Sequence, residues 1–282
     1  MGLRWAFSLR QAEISPNFEL YFRKALDALP SHDVVKQERF HYRNDSLACV
    51  AGRIMIRAAI QSSLSLPWHE IQLDKTDRGK PFLLKNPLFF NVSHQGDLVV
   101  LATSRKYEIG VDVMRIDEER GSTTAREHIL KMKRLFSSRE LEMMLGKPTE
   151  IDRWTAFYRI WCLKEAVLKA TGIGLVDDLN TYSFECGIQD HIPGCFINDT
   201  VYSEKEQPGD RWRFEESFIG EDHCVAVGKI YSSAEEASRA PLRPKQFQLV
   251  TLEGLLAKAT PLSDEDSAEA FSNFAKKPWK QF

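Results

Sequence analysis

From Thr149 to Ala170 the chain carries an unbroken helical pattern, and Gly172 follows as the kind of left-handed C-cap that ends such a run. With about 100° between residues and Trp154 set at zero, Phe157 falls near 300°, Tyr158 near 40° and Trp161 near 340°. On the same wheel Glu165 falls near 20° and Leu168 near 320°. A carboxylate therefore lies in the middle of an apolar stripe. Unpaired there it would cost several kcal/mol, so it calls for a cation, a metal or a proton. Lys169, near 60° on the stripe's edge, offers a plainer answer: an i,i+4 ion pair of about 0.3–0.5 kcal/mol. Helix geometry alone leaves both readings open.

The rest of the chain supplies what must cover this helix. Asn17 to Leu29 places Phe18, Phe22, Ala25, Leu26 and Leu29 at helical spacing before Pro30, and a second helix is expected over Asp45 to Leu64. From Pro87 to Ser104 the pattern turns to strands around the polar His94–Asp97, which predicts a hairpin, and Ile109 to Met114 predicts another strand. Helices then return. Arg126 to Leu135 reads as one, and Ser137-x-x-Glu140 is a capping box that starts the next. Strands are expected near Thr181–Glu185, Cys195–Tyr202, Arg211–Phe218 and Cys224–Tyr231. The layout is two α+β halves, 1–108 and 109–231. A linker over 232–245 and an extension over 246–282 with one strand, Gln246–Leu252, complete it.

Asp112 repeats the anomaly of Glu165. Ile109, Val111 and Val113 share one face of their strand; Gly110, Asp112 and Met114 share the other. A carboxylate beside a glycine that permits close approach suits a metal or phosphate site, while a solvent-facing Asp is the bland alternative. If the two carboxylates meet at the junction of the halves, they can hold Mg²⁺ together with waters and substrate phosphates. Lys75-Thr76-Asp77-Arg78-Gly79-Lys80-Pro81 is a tight basic turn, and Lys36, Arg39 and Arg43 precede the second helix. Either cluster can meet phosphates or simply face solvent. The turn is not a Walker A loop, and no HExxH, GxSxG or complete dinucleotide loop occurs. Ser93 and His94 are adjacent in a strand and point to opposite faces, so they cannot act as nucleophile and base.

Composition narrows the class. Lys and Arg number 38 and Asp and Glu 40, a net charge of −2, which argues against nucleic acid as a partner. No stretch approaches the roughly 20 apolar residues needed to span a bilayer, so no membrane association is expected. Five cysteines without a CxxC pair suggest neither a disulfide framework nor a zinc site. Arg4 and Arg10 with no apolar h-region between them do not read as a secretory leader, so the cytosol is the expected location.

Phe90-Asn91-Val92-Ser93-His94, Gly110-Val111-Asp112-Val113 and Trp161-x-x-Lys164-Glu165-Ala166-x-x-Lys169 resemble, in order and spacing, the motifs of the 4′-phosphopantetheinyl transferase superfamily in its long, two-lobed form. Gly2–Ser8, Ala51–Arg57 and Phe157–Trp161 further resemble the animal enzymes of that family. The likeness covers most of 1–231 and fades across 186–210. It implies a pseudo-dimer of two similar α+β lobes, with coenzyme A and Mg²⁺ in the cleft between them. It also implies transfer of the phosphopantetheine arm of coenzyme A to a serine of an apo acyl or peptidyl carrier domain, releasing adenosine 3′,5′-bisphosphate.

By motif position Asp112 and Glu165 would be the metal ligands, and Glu165 would also take the serine proton, directly or through water. His94 and Lys169 would meet the coenzyme's phosphates. Lys75, Thr76, Asp77, Arg78, Gly79 and Lys80, with Asn91, Val92, Ser93 and His94, would line the nucleotide side. Lys36 falls where the family places a cation for the 3′-phosphate, with Arg39 as the rival. Many bacterial relatives carry a third acidic ligand where this chain has Met114, so water would complete the metal's shell. The pseudo-dimer implies a monomer in solution. Carrier range stays open between several carriers (fatty acid synthase and aminoadipate-semialdehyde dehydrogenase types) and one dedicated carrier. A non-catalytic coenzyme A or carrier binder on the same fold is the reading of a different class. Intact Asp112, Lys164, Glu165 and Lys169 speak against it.

Overall fold

The structure is a computed structural model that describes residues 2–85, 88–117, 123–174, 178–187, 191–241, 245–263 and 265–280. Pro87, where the strand pattern was read to begin, and 242–244 of the expected linker lie outside these residues.

The N-terminal half opens with β1 (Arg4–Ser8), which the sequence reading missed, then α1 (Leu9–Glu13), α2 (Phe18–Asp27), α3 (Ser31–Glu38) and α4 (Arg43–Leu64). The hairpin β2 (Leu73–Lys75) and β3 (Pro81–Leu83) follows, then β4 (Phe89–Gln95) and β5 (Leu98–Ser104). The C-terminal half runs β6 (Glu108–Arg115), α5 (Ala125–Lys131), α6 (Ser138–Leu145) and α7 (Glu150–Thr171). Next come β7 (Tyr182–Glu185), β8 (Phe196–Ile197), β9 (Val201–Glu204), β10 (Gln207–Pro208), β11 (Trp212–Ile219) and β12 (His223–Ile230). The chain ends with α8 (Ala234–Ser238), β13 (Gln248–Leu249), α9 (Leu252–Leu255) and α10 (Ser267–Ala275). Each half is α+β, so the molecule is two-lobed. The run expected over Cys195–Tyr202 is split into β8 and β9.

One sheet has the order β13-β1-β5-β4 and the other β6-β12-β11-β8, with the smaller sheets β7-β9-β10 and β2-β3 beside them. The core is divided accordingly. One cluster packs α2–α4 on the first sheet, and a second surrounds α7. A third joins the halves through alternate residues of three strands: Leu98, Val100 and Ala102; Ile109, Val111 and Val113; Val225 and Val227. The period-two reading of β6 thus has one face in the inter-lobe core.

Its other face is not open. α7 crosses β6 and β12 so closely that a Cβ on Gly110 would stand 2.0 Å from the Ala166 carbonyl oxygen. Asp112 is 4% exposed, which removes the solvent-facing alternative. α5, α6 and β7 pack against α7 as well, so the helix is buried on nearly all sides and not along one stripe. Ser137 and Glu140 form the expected capping box, and Gly172 adopts φ 70°.

α4 has the length and composition of a membrane span, contrary to the sequence expectation, yet most of it is buried, including Asn44, Ser46 and Arg57. It packs as the core helix of its half. The C-terminal segment returns to the same half. β13 lies parallel to β1, and Phe274 on α10 packs against Phe22 with ring centroids 4.3 Å apart.

Candidate active site

β4 and β6 edge the two sheets, and side chains bridge them. Asn91 Oδ1 accepts a hydrogen bond from Val111 N–H (3.0 Å), and Ser93 Oγ donates to Asp112 Oδ1 (2.7 Å). Gln95 Oε1 accepts from Arg115 N–H. Residues 91, 93 and 95 share one face of a strand, and this alternation fixes Asp112 against the N-terminal lobe.

From the other side α7 delivers Glu165 and, one turn later, Lys169. Lys169 Nζ donates to Asp112 Oδ1 (2.5 Å) and to Ser93 Oγ (2.7 Å). The i,i+4 pair that the helical wheel offered is therefore not the one formed, because Lys169 turns to Asp112. Among the described residues Glu165 has no ion pair. Burial, and then the Asp112 charge, push its carboxyl above the ordinary range, with Lys169 opposing. Asp112 Oδ2 is buried with no partner among the described residues.

The basic turn docks on the far end of α7. Thr76 N–H donates to Lys80 O (2.9 Å) and Gly79 N–H to Thr76 O (2.7 Å), with Gly79 at φ 85°, a left-handed conformation that favours glycine. Lys80 Nζ donates to Ala170 O (2.6 Å) and pairs with Glu108 (2.9 Å), while Arg78 donates to the Ile173 carbonyl. Cations at a helix C-terminus are favoured by the helix dipole. Lys80 is thus placed on the last turn of α7 and Arg78 on a residue just past its end, while Lys75 is exposed.

A cavity of about 290 Å³ lies where these elements meet. Arg78, Gly79, Lys80 and Asn91 line it from one lobe, and Glu165, Lys169 and Gly174 from the other. Depressions of about 500 and 910 Å³ in the C-terminal lobe are larger, but they hold none of the candidate site residues. Asp112 and Ser93 lie beside the small cavity, bonded to its Lys169 wall. His94 points to the other side of β4 and is solvent-exposed. Crowding around its ring and the Lys169 charge still lower its pKa, against Asp45 and Asp112. Lys36 on α3 and its rival Arg39 just beyond are exposed, and with Lys75, Thr76, Asp77 and Val92 they are not among the lining residues.

Lys164 proves to be structural. It is fully buried, pairs with Glu140 (2.9 Å) and donates to the Leu179 carbonyl (3.0 Å). It anchors α7 and does not report on catalysis. The reading missed Glu140 as its partner, although a buried lysine in a core helix signals that one must exist.

A model described as "4′-phosphopantetheinyl transferase, N-terminal" matches residues 15–106, and one described as the 4′-phosphopantetheinyl transferase superfamily matches 108–228. The chain is 32% identical over 278 residues to the human L-aminoadipate-semialdehyde dehydrogenase-phosphopantetheinyl transferase, covering 94% of this chain and 88% of that one. The chain belongs to the 4′-phosphopantetheinyl transferase superfamily. A phosphopantetheinyl transferase of Thraustochytrium is 30% identical over 238 residues, covering 82% of this transferase and 80% of its relative. The 4′-phosphopantetheinyl transferase HetI of Nostoc is 32% identical over 151 residues, 52% of this chain and 61% of its own. Activity and coenzyme A as substrate come with the family: the protein is a phosphopantetheinyl transferase that modifies carrier proteins.

Proposed function

We propose that Asp112 and Glu165 hold Mg²⁺ in this transferase and that Glu165 is also its base. The donor set fits. Asp112 presents a buried Oδ2 with no partner among the described residues, and burial and the Asp112 charge disfavour ionised Glu165 with Lys169 opposing, an arrangement a divalent cation relieves. Among the described residues no cluster of three or more His, Cys, Asp and Glu is present, and Met114 packs into the C-terminal core. Two carboxylates completed by water and coenzyme phosphates suit Mg²⁺, which seldom has an all-protein cage. When bound, Mg²⁺ supplies Lewis-acid stabilisation of charge on the pyrophosphate.

The chain's own residues do the rest. Coenzyme A lies in the inter-lobe cleft, its phosphates toward Lys169 and His94 and its nucleotide toward Lys75–Lys80 and Asn91–His94. Lys36 or Arg39 meets the 3′-phosphate. Glu165 takes the proton from the carrier serine as the serine oxygen bonds to the phosphopantetheine phosphorus. The bond to the bridging oxygen breaks, and adenosine 3′,5′-bisphosphate leaves with the electron pair. Lys169 opposes the charge that builds there. Glu165 is placed to take that proton, directly or through water, which suits a poorly nucleophilic serine.

Carriers of the fatty acid synthase and aminoadipate-semialdehyde dehydrogenase types are the expected range, the latter in keeping with the human relative's name. A cytosolic monomer is the form we propose, in keeping with five free thiols and with both cavity walls coming from one chain. The observation that carries the reading is this convergence of the basic turn, Asn91, Glu165 and Lys169 on one inter-lobe cavity. Incubation with coenzyme A, Mg²⁺ and an apo-carrier should add the mass of the arm to the carrier. No gain on any of several apo-carriers would contradict it.

A further inference from the structure

The cation that sits on Asp112 in this structure is the protein's own. Lys169 Nζ contacts Asp112 Oδ1 at 2.5 Å and Ser93 Oγ at 2.7 Å, and Ser93 donates to the same Oδ1 at 2.7 Å. Two polar groups thus close on one oxygen and on each other. The Lys169 side chain nevertheless lines the cavity and is 28% exposed, so its ammonium can leave Asp112 for the cleft by changing rotamers of an unbranched stem, with α7 fixed. With Lys169 in place, Asp112 and Glu165 carry two negative charges against one positive. With a divalent cation they would be balanced, but an ammonium and a divalent ion on one carboxylate repel strongly.

We propose that Lys169 is a tethered stand-in for the metal: it occupies Asp112 until the phosphates of coenzyme A draw it away, so that metal binding waits on coenzyme A. This rests on Asp112 and Glu165 being the metal ligands. The ordering has a consequence for the reaction, since the metal is retained only when the pyrophosphate it must polarise is present. Lys169 then has two successive partners, a carboxylate and a phosphate. Ser93 is the positioning residue that holds it on the first.

The test is Mn²⁺ binding, followed by the spectrum of the free ion, to the full-length protein without carrier, with and without coenzyme A. Wild type should bind Mn²⁺ at least tenfold more tightly when coenzyme A is present. Lys169→Met should bind it at least tenfold more tightly than wild type when coenzyme A is absent, and should gain less from adding the coenzyme. Lys169→Arg keeps the charge and should stay close to wild type. Unchanged binding in Lys169→Met without coenzyme A overturns the proposal. An equal gain with and without coenzyme A also overturns it, because that is plain electrostatics without exchange. Failure of wild type to bind Mn²⁺ even with coenzyme A, or unaltered binding in Asp112→Asn, overturns the metal-ligand reading and the stand-in with it.

Discussion

Glu165 lies where a helix that needs only to pack would place an apolar residue, and this misfit was visible in the sequence before any partner was known. Its burial and the neighbouring Asp112 raise its pKa, so the folded state disfavours its ionised form. The sign follows from linkage. A carboxyl whose folded pKa exceeds its unfolded pKa leaves stability intact below the unfolded pKa, and stability falls as pH rises through the folded value. Glu165→Gln should therefore melt at a higher temperature than wild type in chelator near pH 7, with the gap closing as pH falls to about 4. A lower melting temperature for the variant near neutral pH would mean that Glu165 is a stabilising ion-pair partner. Asp112 was legible only in part. Its strand face could be read, but its cover could not, because α7 is far away in sequence and only Gly110 hinted at a close neighbour.

At the level of elements, α7 is held by two devices with different energetics. Lys164 and Glu140 form an ion pair with both side chains out of water, where removing one partner costs about 3–5 kcal/mol. Lys164→Met should lose stability on that scale in denaturant titration, and Glu140→Gln combined with it should recover part. A near-neutral single variant would mean that the two groups are not ionised together. The basic turn is the second device, seated on the C-terminal end of α7. Since Arg78 and Lys80 are occupied there, exposed Lys75 is the freer cation. Lys75→Ala should raise the KM for coenzyme A about tenfold and leave the carrier KM unchanged, as loss of one charged hydrogen bond would. An effect confined to the carrier KM would move the turn to the protein–protein surface. The turn's chemistry was plain in the sequence; its docking on α7 was not, since two surface lysines look alike until a carbonyl is found beneath one of them.

On the scale of the whole molecule, the lobes meet through an apolar core and a rim of charge. Arg4 on β1 pairs with Glu215 on β11 (2.8 Å), and Lys229 joins them. Burial alone would raise the Glu215 pKa, but Arg4 and Lys229 outweigh it and the pKa falls below the ordinary value. A depressed carboxyl stabilises above its unfolded pKa, and that contribution is lost as pH falls through the folded value. Arg4→Met should therefore lower stability at neutral pH and make the curve less steep on the acid side. Parallel wild-type and variant curves would remove this pair from the lobe interface. The paired layout of helices followed by strands was readable because hydrophobic periodicity is local. The return of 248–275 to the N-terminal lobe was not, because a two-residue strand and short helices carry little period of their own, and their partners, such as Phe22, lie at the other end of the chain.

We propose that Glu165, held beside Asp112 between the lobes, carries the transfer. The rate of holo-carrier formation at saturating coenzyme A and Mg²⁺, compared between wild type and folded Glu165→Gln, tests it most directly. A loss of about a hundredfold or more is predicted, as removal of a base and a metal charge together implies. A variant rate within about threefold of wild type, less than 1 kcal/mol of transition-state energy, would contradict it.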